Sequence, residues 1–384
     1  EILPGLDPKS TKVLGNGYLS DGKMSYYCAT RSEKEAGFSE FGAIMKNLVH
    51  VFIKSYDDSP YFYRTKRIES TNLEPIFDAG FARDGATLYY KGEKLDADPS
   101  ELRYITTENG AASGYYTDGK SLFMGFYRLD ASYSDETRRI CYDAKHDIEY
   151  LFEPKSGAVF ANELKFSAQN MPYSAIYSVD NVHSFWPLFT SKDGIYFWDG
   201  SKNEQAKISD YQLKGELKRL YADVFVDENS AYFLQQGEEW RRSKHGRHLE
   251  AQTVSLYKFA PSFSWREIGL VKDGEYGAVY ANGDKVYFFS SIKPFYGIGH
   301  SVYEVADLSV IEILTRASAE LSAKDISDMI KRGELVEASG EEVARSRVEY
   351  DSPKIILYIT FGIAFVVIVL TTLAKPKRDK SDLR

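Results

Sequence analysis

The chain has 384 residues, 43% of them hydrophobic and 15% aromatic, enough apolar surface for one large or two ordinary domains, which excludes a disordered polymer. A net charge of −8, from 48 basic and 56 acidic residues, excludes a general attraction to nucleic acid; an anion would have to be met by a local basic patch. With 29 Tyr and 23 Phe against 5 Met, the composition favours half-buried strands over helices.

The chain begins Glu1-Ile2-Leu3-Pro4 without methionine, as a processed or a trimmed form would, and a removed signal peptide would account for it. The two cysteines, Cys28 and Cys141, are few for this length and suit an oxidising compartment. A Cys28–Cys141 disulfide is one reading of them, and two buried thiols are the other.

From the N-terminus onward one phrase recurs: a turn pair followed by paired aromatic or apolar residues. Its clearest copies are Asp21-Gly22, Asp84-Gly85, Asp118-Gly119, Asp193-Gly194 and Asn282-Gly283, with weaker ones at Asp58-Ser59, Ser156-Gly157 and Asn229-Ser230. Successive copies are separated by 37, 26, 34, 38, 37, 36 and 53 residues, close to one period in the mid-thirties over most of the chain. Asp-Gly and Asn-Gly supply the positive φ values of tight hairpin turns, so each copy predicts a hairpin with one or two further strands. In pairs such as Tyr26-Tyr27, Tyr89-Tyr90 and Tyr196-Phe197-Trp198, neighbours point to opposite faces. One member is expected in the core, and the other outward or against the next unit. A lone hairpin cannot bury its apolar face, so about eight units over 1–305 predict an all-β repeat domain. The expected form is β-propeller-like, with a β-hairpin solenoid as the alternative.

The stretch FARDGATLYYKGEKLDADPSELRYI at 81–105, followed by GYYTDGKSLFM at 114–124, resembles the DKNYY repeat family of bacterial proteins. Ala97-Asp98-Pro99-Ser100 matches the second phrase of that repeat, LGNGYLSDGKMSYY at 14–27 carries the first phrase again, and the resemblance runs from 14 to about 150. It implies an extracytoplasmic or surface-associated repeat protein with envelope or immunity roles, and it brings no catalytic residues.

The residues themselves offer little chemistry. The histidines form no HExxH, and GxSxG is absent. Asp96, Asp98, Ser100 and Glu101 imitate the start of a calcium loop, but Glu101 stands where that loop needs glycine. No cofactor or metal is expected. The most unusual surface stretch is 240–250, where Trp240, Arg241, Arg242, Lys244, His245, Arg247 and His248 concentrate positive charge on an acidic chain. This is a candidate anion- or partner-binding loop, and a solvated turn between strands is the plainer reading. If its histidines take part, binding should strengthen below about pH 6.5.

After Tyr303 the composition turns small, charged and aliphatic, and 306–353 reads as a partly helical connector. Ser322 and Asp325 have capping-box spacing and Gly333 the place of a C-cap, which predicts a helix over 322–332; a second helix is expected at 341–350. The connector is read as a spacer, with a docking surface as the rival. Ile355–Ala374 is a 20-residue run without a charge, the length of a transmembrane helix, and Lys375, Lys377, Arg378, Lys380 and Arg384 mark 375–384 as a cytoplasmic tail. Together these features predict a single-pass membrane protein with an extracytoplasmic (periplasmic) domain. Its expected role is as a non-catalytic binding or scaffold subunit of an envelope complex, in contact with other membrane proteins and able to form an oligomer. An immunity protein that neutralises a toxin and a propeller-type glycan hydrolase are the alternatives.

Overall fold

The structure, a computed structural model, describes residues 5–31, 62–70, 72–78, 80–178, 185–243, 246–262, 264–292, 301–316 and 321–350. Within them the turn-and-aromatic repeat builds seven antiparallel sheets. The first runs Lys12–Gly15, Tyr18–Ser20, Ser25–Arg31 and Phe62–Ile68, and the second Glu74–Pro75, Phe81–Asp84, Thr87–Tyr90 and Glu93–Leu95. The third is Arg103–Thr106, Ala112–Thr117, Ser121–Met124 and Tyr127–Ser132; the fourth is Arg138–Asp143, Ile148–Glu153, Ala158–Ala161 and Leu164–Lys165. The fifth holds Ser174–Ile176, Leu188–Ser191, Gly194–Asp199 and Glu204–Ser209. Two larger sheets follow. The sixth has Lys218–Tyr221, Val224–Val226, Ser230–Ser243 and Gly246–Pro261, joined by the distant Glu341–Glu349. The seventh has Trp265–Val271, Gly277–Asn282, Lys285–Ser290 and Ser301–Val305, joined by Leu335–Glu337. The chain forms two compact units, 1–140 with 149–168, and 141–148 with the chain from 169.

In every sheet the aromatic or apolar pair lies on the third strand, directly after its turn: Tyr26-Tyr27, Tyr89-Tyr90, Leu122-Phe123, Val159-Phe160, Tyr196-Phe197, Tyr232-Phe233 and Tyr287-Phe288. Alternation sends the two members to opposite faces, and in the second and seventh sheets both faces are covered. In the first unit, Tyr89 packs with Tyr18, Tyr27 and Ile68 of the first sheet, while Tyr90 packs with Tyr116 and Phe123 of the third. In the second unit, Tyr287 and Phe289 face the sixth sheet beside Val224 and Phe233, whereas Phe288 faces the other way. Buried tyrosine hydroxyls lock neighbouring sheets at their backbones. Tyr18 Oη donates to Gly80 O (2.7 Å) and accepts from Gly92 N (3.2 Å); Tyr115 Oη reaches Glu149 O (2.7 Å) and Asn162 O (2.9 Å).

The repeated acidic residue acts differently from the expected hairpin turn. The glycines Gly22, Gly85, Gly119, Gly194 and Gly283 do take positive φ, but none of the residues before them does. Instead the carboxylates of Asp21, Asp118 and Asp227 each accept from the backbone N–H groups two and three residues on, and Glu153 does the same. A short acidic side chain thereby pairs amides that the turn leaves without backbone partners. At Gly194 there is also no room for a side chain, since a Cβ would lie 2.1 Å from Ser209 O.

Several expectations are corrected. The sheets are separate and divided between two units, and no strand joins the first sheet to the last, so they do not make a closed β-propeller among the described residues. Nor do they make a continuous hairpin solenoid, because backbone pairing stops at each sheet's own edges. Among the described residues the sheets number seven: Asp58-Ser59 lies outside them, and Phe62–Ile68 completes the first sheet. The expected helix over 341–350 is a strand, because burial of Ala344, Ser346 and Val348 follows the two-residue period of a sheet.

The helix over 322–332 is present as Ala323–Lys331, with the Ser322–Asp325 capping box formed and Gly333 at φ 73°. Call the helices α1 (Val310–Leu314) and α2 (Ala323–Lys331). The connector is no spacer. Val310 and Leu314 of α1 and Ile326 and Met329 of α2 pack on Val279, Phe288, Tyr303 and Val305, covering the last sheet's outer face.

The expected single-pass, extracytoplasmic placement finds no support in the described residues. Among the described residues no helix is long and apolar enough to cross a membrane. The longer helix, α2, has 9 residues and carries Lys324, Asp325, Asp328 and Lys331. Ile355–Ala374 and the basic tail lie outside the described residues.

Two stability predictions follow from this packing. Tyr115→Phe removes the hydroxyl shared by Asn162 O and Glu149 O, the second of which keeps Asn162 N as a donor, and should cost about 1 kcal/mol, read as a lower urea midpoint at an unchanged slope. At Glu153, burial alone would raise the carboxyl's pKa, but hydrogen bonds from Ser134, Ser156 and backbone amides outweigh it and hold the pKa below its ordinary value of 4.5. Its stabilising contribution is therefore complete above that value and is lost as the pH falls towards the lower folded pKa. Glu153→Gln should flatten the acid limb of a stability-against-pH curve below about pH 4.5 and lower the plateau above it.

Candidate functional site

The sixth sheet departs from the others by the length of two strands. Ser230–Ser243 has 14 residues and Gly246–Pro261 has 16, whereas strands in the first five sheets have 2–7. At about 3.3 Å per residue the pair forms a ribbon roughly 45 Å long. Its base is core, with Ala231, Tyr232, Leu234, Val254, Leu256 and Ala260 buried. Towards the tip the apolar residues give way to Glu238, Glu239, Trp240, Arg241 and Arg242, opposed by Arg247, His248 and Leu249 on the returning strand.

Register assigns the faces. Trp240 opposes Leu249 and Arg242 opposes Arg247, which places these four on one face; Arg241 opposes His248 on the other. Trp240 is 51% exposed, and Arg241, Arg242 and Arg247 are exposed. The sequence-derived candidate loop is thus largely the end of a β-ribbon. Lys244 and His245 lie outside the described residues.

Glu341–Glu349 stiffens this ribbon. It pairs with Gly246–Pro261 from Lys258↔Glu341 to Ala251↔Glu349, and Tyr350 N then donates to Glu250 O (2.9 Å). Trp186 Nε1 donates to Ser346 Oγ (2.7 Å), which donates to Val254 O (3.0 Å), so a buried indole holds the added strand. At the end of that strand Tyr350 stacks on His146 (ring centroids 5.7 Å apart), whose Nδ1 lies 2.6 Å from Asp143 Oδ2. Gly200 admits this arrangement, as a Cβ there would come within 2.5 Å of the imidazole. Burial first, and then the charges of Asp143, Glu238 and Asp199, push the Tyr350 phenol well up, so it stays protonated. It donates to Gln252 Oε1 (2.5 Å); Gln252 Nε2 donates to Glu238 (3.0 Å), and Trp240 Nε1 donates to the other Glu238 oxygen (3.0 Å). A continuous polar chain therefore orients the exposed indole.

Opposite charges flank the tip. Arg347 pairs with Glu239 at 2.9 Å and also with Glu349, and Arg241 lies 3.5 Å from Glu250. The Arg347 hydrogen bond holds the Glu239 carboxyl below its usual range. At the ribbon's base a cavity of about 280 Å³, lined in part by Phe233, Tyr257, Val302 and Glu337, is smaller than most small-molecule sites.

Cys28 and Cys141 are not joined. They lie on the first and fourth sheets as thiols, and Cys141 Sγ donates to Phe185 O at 2.6 Å. The second stabilising strand, Glu341–Glu349, is what sequence reasoning missed. The 53-residue gap between the last two turn phrases was the available sign of an extended hairpin.

Comparison with known proteins bears on the other end of the chain. Residues 1–127 match the DKNYY family. No curated protein and no solved structure matches the chain. The DKNYY match covers the described parts of the first two sheets and reaches Tyr127, the first residue of the third sheet's last strand. The ribbon lies beyond it, so its reading rests on its own geometry.

Tyr350→Phe breaks the polar chain at its start. It should lower stability by about 1 kcal/mol and speed amide exchange in 346–350 and 250–254 while leaving the seventh sheet unchanged, as read by hydrogen-exchange mass spectrometry.

Proposed function

We propose that this protein is a non-catalytic binding subunit that docks an acidic surface of a partner protein on the tip of its long β-ribbon. The observation that carries the reading is the ribbon itself: an otherwise acidic chain extends two strands past their neighbours and ends them in an exposed Trp240 with Arg241, Arg242 and Arg247. Arginine forks match carboxylates bidentately, and a rigid, part-exposed tryptophan supplies contact area at little entropic cost. The added strand and the Trp186 and Tyr350 contacts pre-organise the tip, which lowers the ordering cost of association.

The test is chemical cross-linking in the native cell followed by mass spectrometry, comparing the wild type with Arg247→Glu. The wild type should give cross-links from 240–250 to an acidic segment of one partner, and Arg247→Glu should lose them with the fold intact by circular dichroism. Binding to the purified partner should weaken about tenfold or more between 50 mM and 300 mM salt. Cross-links unchanged by the substitution, or affinity indifferent to salt, would overturn the reading.

A further inference from the structure

The ribbon has an uncovered side. The outer edge of Gly246–Pro261 is paired by Glu341–Glu349, but the outer edge of Ser230–Ser243 is paired by Val224–Val226 only at Ala231, Tyr232 and Phe233. Beyond Leu234, whose N–H donates to Asp223 O, no strand pairs with that edge among the described residues. The pattern shows which amides face outward. Leu234 N and Ser230 O both bond towards that side, so the even-numbered residues turn their backbone groups to it. Between the pairs Glu239↔Ala251 and Trp240↔Leu249 the extra residue, Glu250, is on the returning strand, so the alternation of Ser230–Ser243 itself continues, and the N–H and C=O groups of Gln236, Glu238, Trp240 and Arg242 face an edge with no pairing strand among the described residues. Such an edge is a template for a further strand unless it is blunted by proline, a bulge or repelling charge.

The edge sequence is Glu238-Glu239-Trp240-Arg241-Arg242, with two acids and two bases placed symmetrically about a tryptophan. Laid antiparallel against itself and centred on Trp240, it sets Glu238 opposite Arg242, Glu239 opposite Arg241 and Trp240 opposite its own copy. Centring on Trp240 makes Glu238–Arg242 and Trp240–Trp240 the hydrogen-bonded pairs, because their outward amides meet outward carbonyls, and leaves Glu239–Arg241 as the closer, non-hydrogen-bonded pair between them. No neighbouring centre does this: shifting the register by one residue in each chain sets Glu239 or Arg241 opposite itself, like charge against like charge.

We propose that two copies of this chain associate edge to edge through 238–242, antiparallel about a two-fold axis at Trp240. A two-fold interface needs a self-complementary patch, and the charge order supplies one. Opposite charges and aromatic pairs directly across antiparallel strands attract, whereas like charges there repel. Glu238, Glu239 and Arg241 keep their contacts with Trp240, Arg347 and Glu250 in the single chain, and carboxylates and guanidiniums have the capacity to share them. Arg247 and His248 lie on the other strand of the ribbon and remain available to the acidic partner. This proposal rests on the ribbon being a binding surface, and it names one occupant of it.

The experiment is sedimentation velocity on the full chain over a concentration series, with two charge-reversed variants. Glu238→Arg/Glu239→Arg makes the edge wholly basic, and Arg241→Glu/Arg242→Glu makes it wholly acidic. The wild type should dimerise, each variant alone should dimerise at least about tenfold more weakly, and an equimolar mixture of the two should recover a one-to-one complex. Trp240→Cys provides a readout independent of charge, since a hydrogen-bonded pair brings the Cα atoms to about 5.5 Å and permits a disulfide across the axis. Mild oxidation should then give a covalent dimer mapped to position 240 in both chains.

A monomeric wild type, a dimer indifferent to charge reversal, a mixture that fails to associate, or oxidation that yields no 240–240 link would each overturn the proposal. Loss of the acidic partner in Arg247→Glu alongside any of these results would leave the proposed function standing and remove only the dimer.

Discussion

The structure depends on a two-sided aromatic contact. A sheet of four short strands has two apolar faces and no means of shielding both by itself. Each sheet here places an aromatic or apolar pair on its third strand, where adjacent side chains necessarily point to opposite faces. Tyr89 and Tyr90 show the consequence: one ring enters the cluster shared with the first sheet, and the next enters the cluster shared with the third. Tyrosine serves this role because its ring fills the interface while its hydroxyl finds a backbone partner on the neighbouring sheet, as at Tyr18 and Tyr115.

A stack held in this way must end somewhere, and the second unit shows how. The outer face of the seventh sheet carries Val279, Phe288 and Tyr303, which would be exposed if no further sheet followed. Two short helices cover it instead. The segment between the sheets and the uncharged run at 355–374 therefore helps to complete the core. It then contributes two returning strands, to the seventh sheet and to the sixth.

That second return makes the ribbon a rigid feature. A two-stranded hairpin standing clear of a core is marginal in water. The sixth sheet gains a third long strand, locked by the buried Trp186 indole and terminated by Tyr350 against His146. Stiffness extends to Ala251 on one side, while the edge ending in Trp240, Arg241 and Arg242 stays uncovered. Among the described residues the outer part of the Ser230–Ser243 edge has no pairing strand, and it ends in an exposed tryptophan beside two arginines.

By itself the sequence determined the repeating unit, its aromatic pairs, the capped helix at Ala323–Lys331 and the DKNYY character of the N-terminal part. Each depends on residues within a few positions of one another: an acid beside its turn, Ser322 beside Asp325, neighbouring rings on one strand. The basic stretch at 240–250 was legible as composition for the same reason. Only the tertiary structure decided how the strands divide among separate sheets, that Glu341–Glu349 is a strand and that the basic stretch ends a supported ribbon. Those outcomes turn on which strand edge meets which. The partner of Ser346 is Val254, 92 residues away, and the indole that holds it belongs to Trp186, 160 residues away. Local pattern can state that a segment will pair, but the choice of edge is made by packing between parts of the chain that are far apart along it.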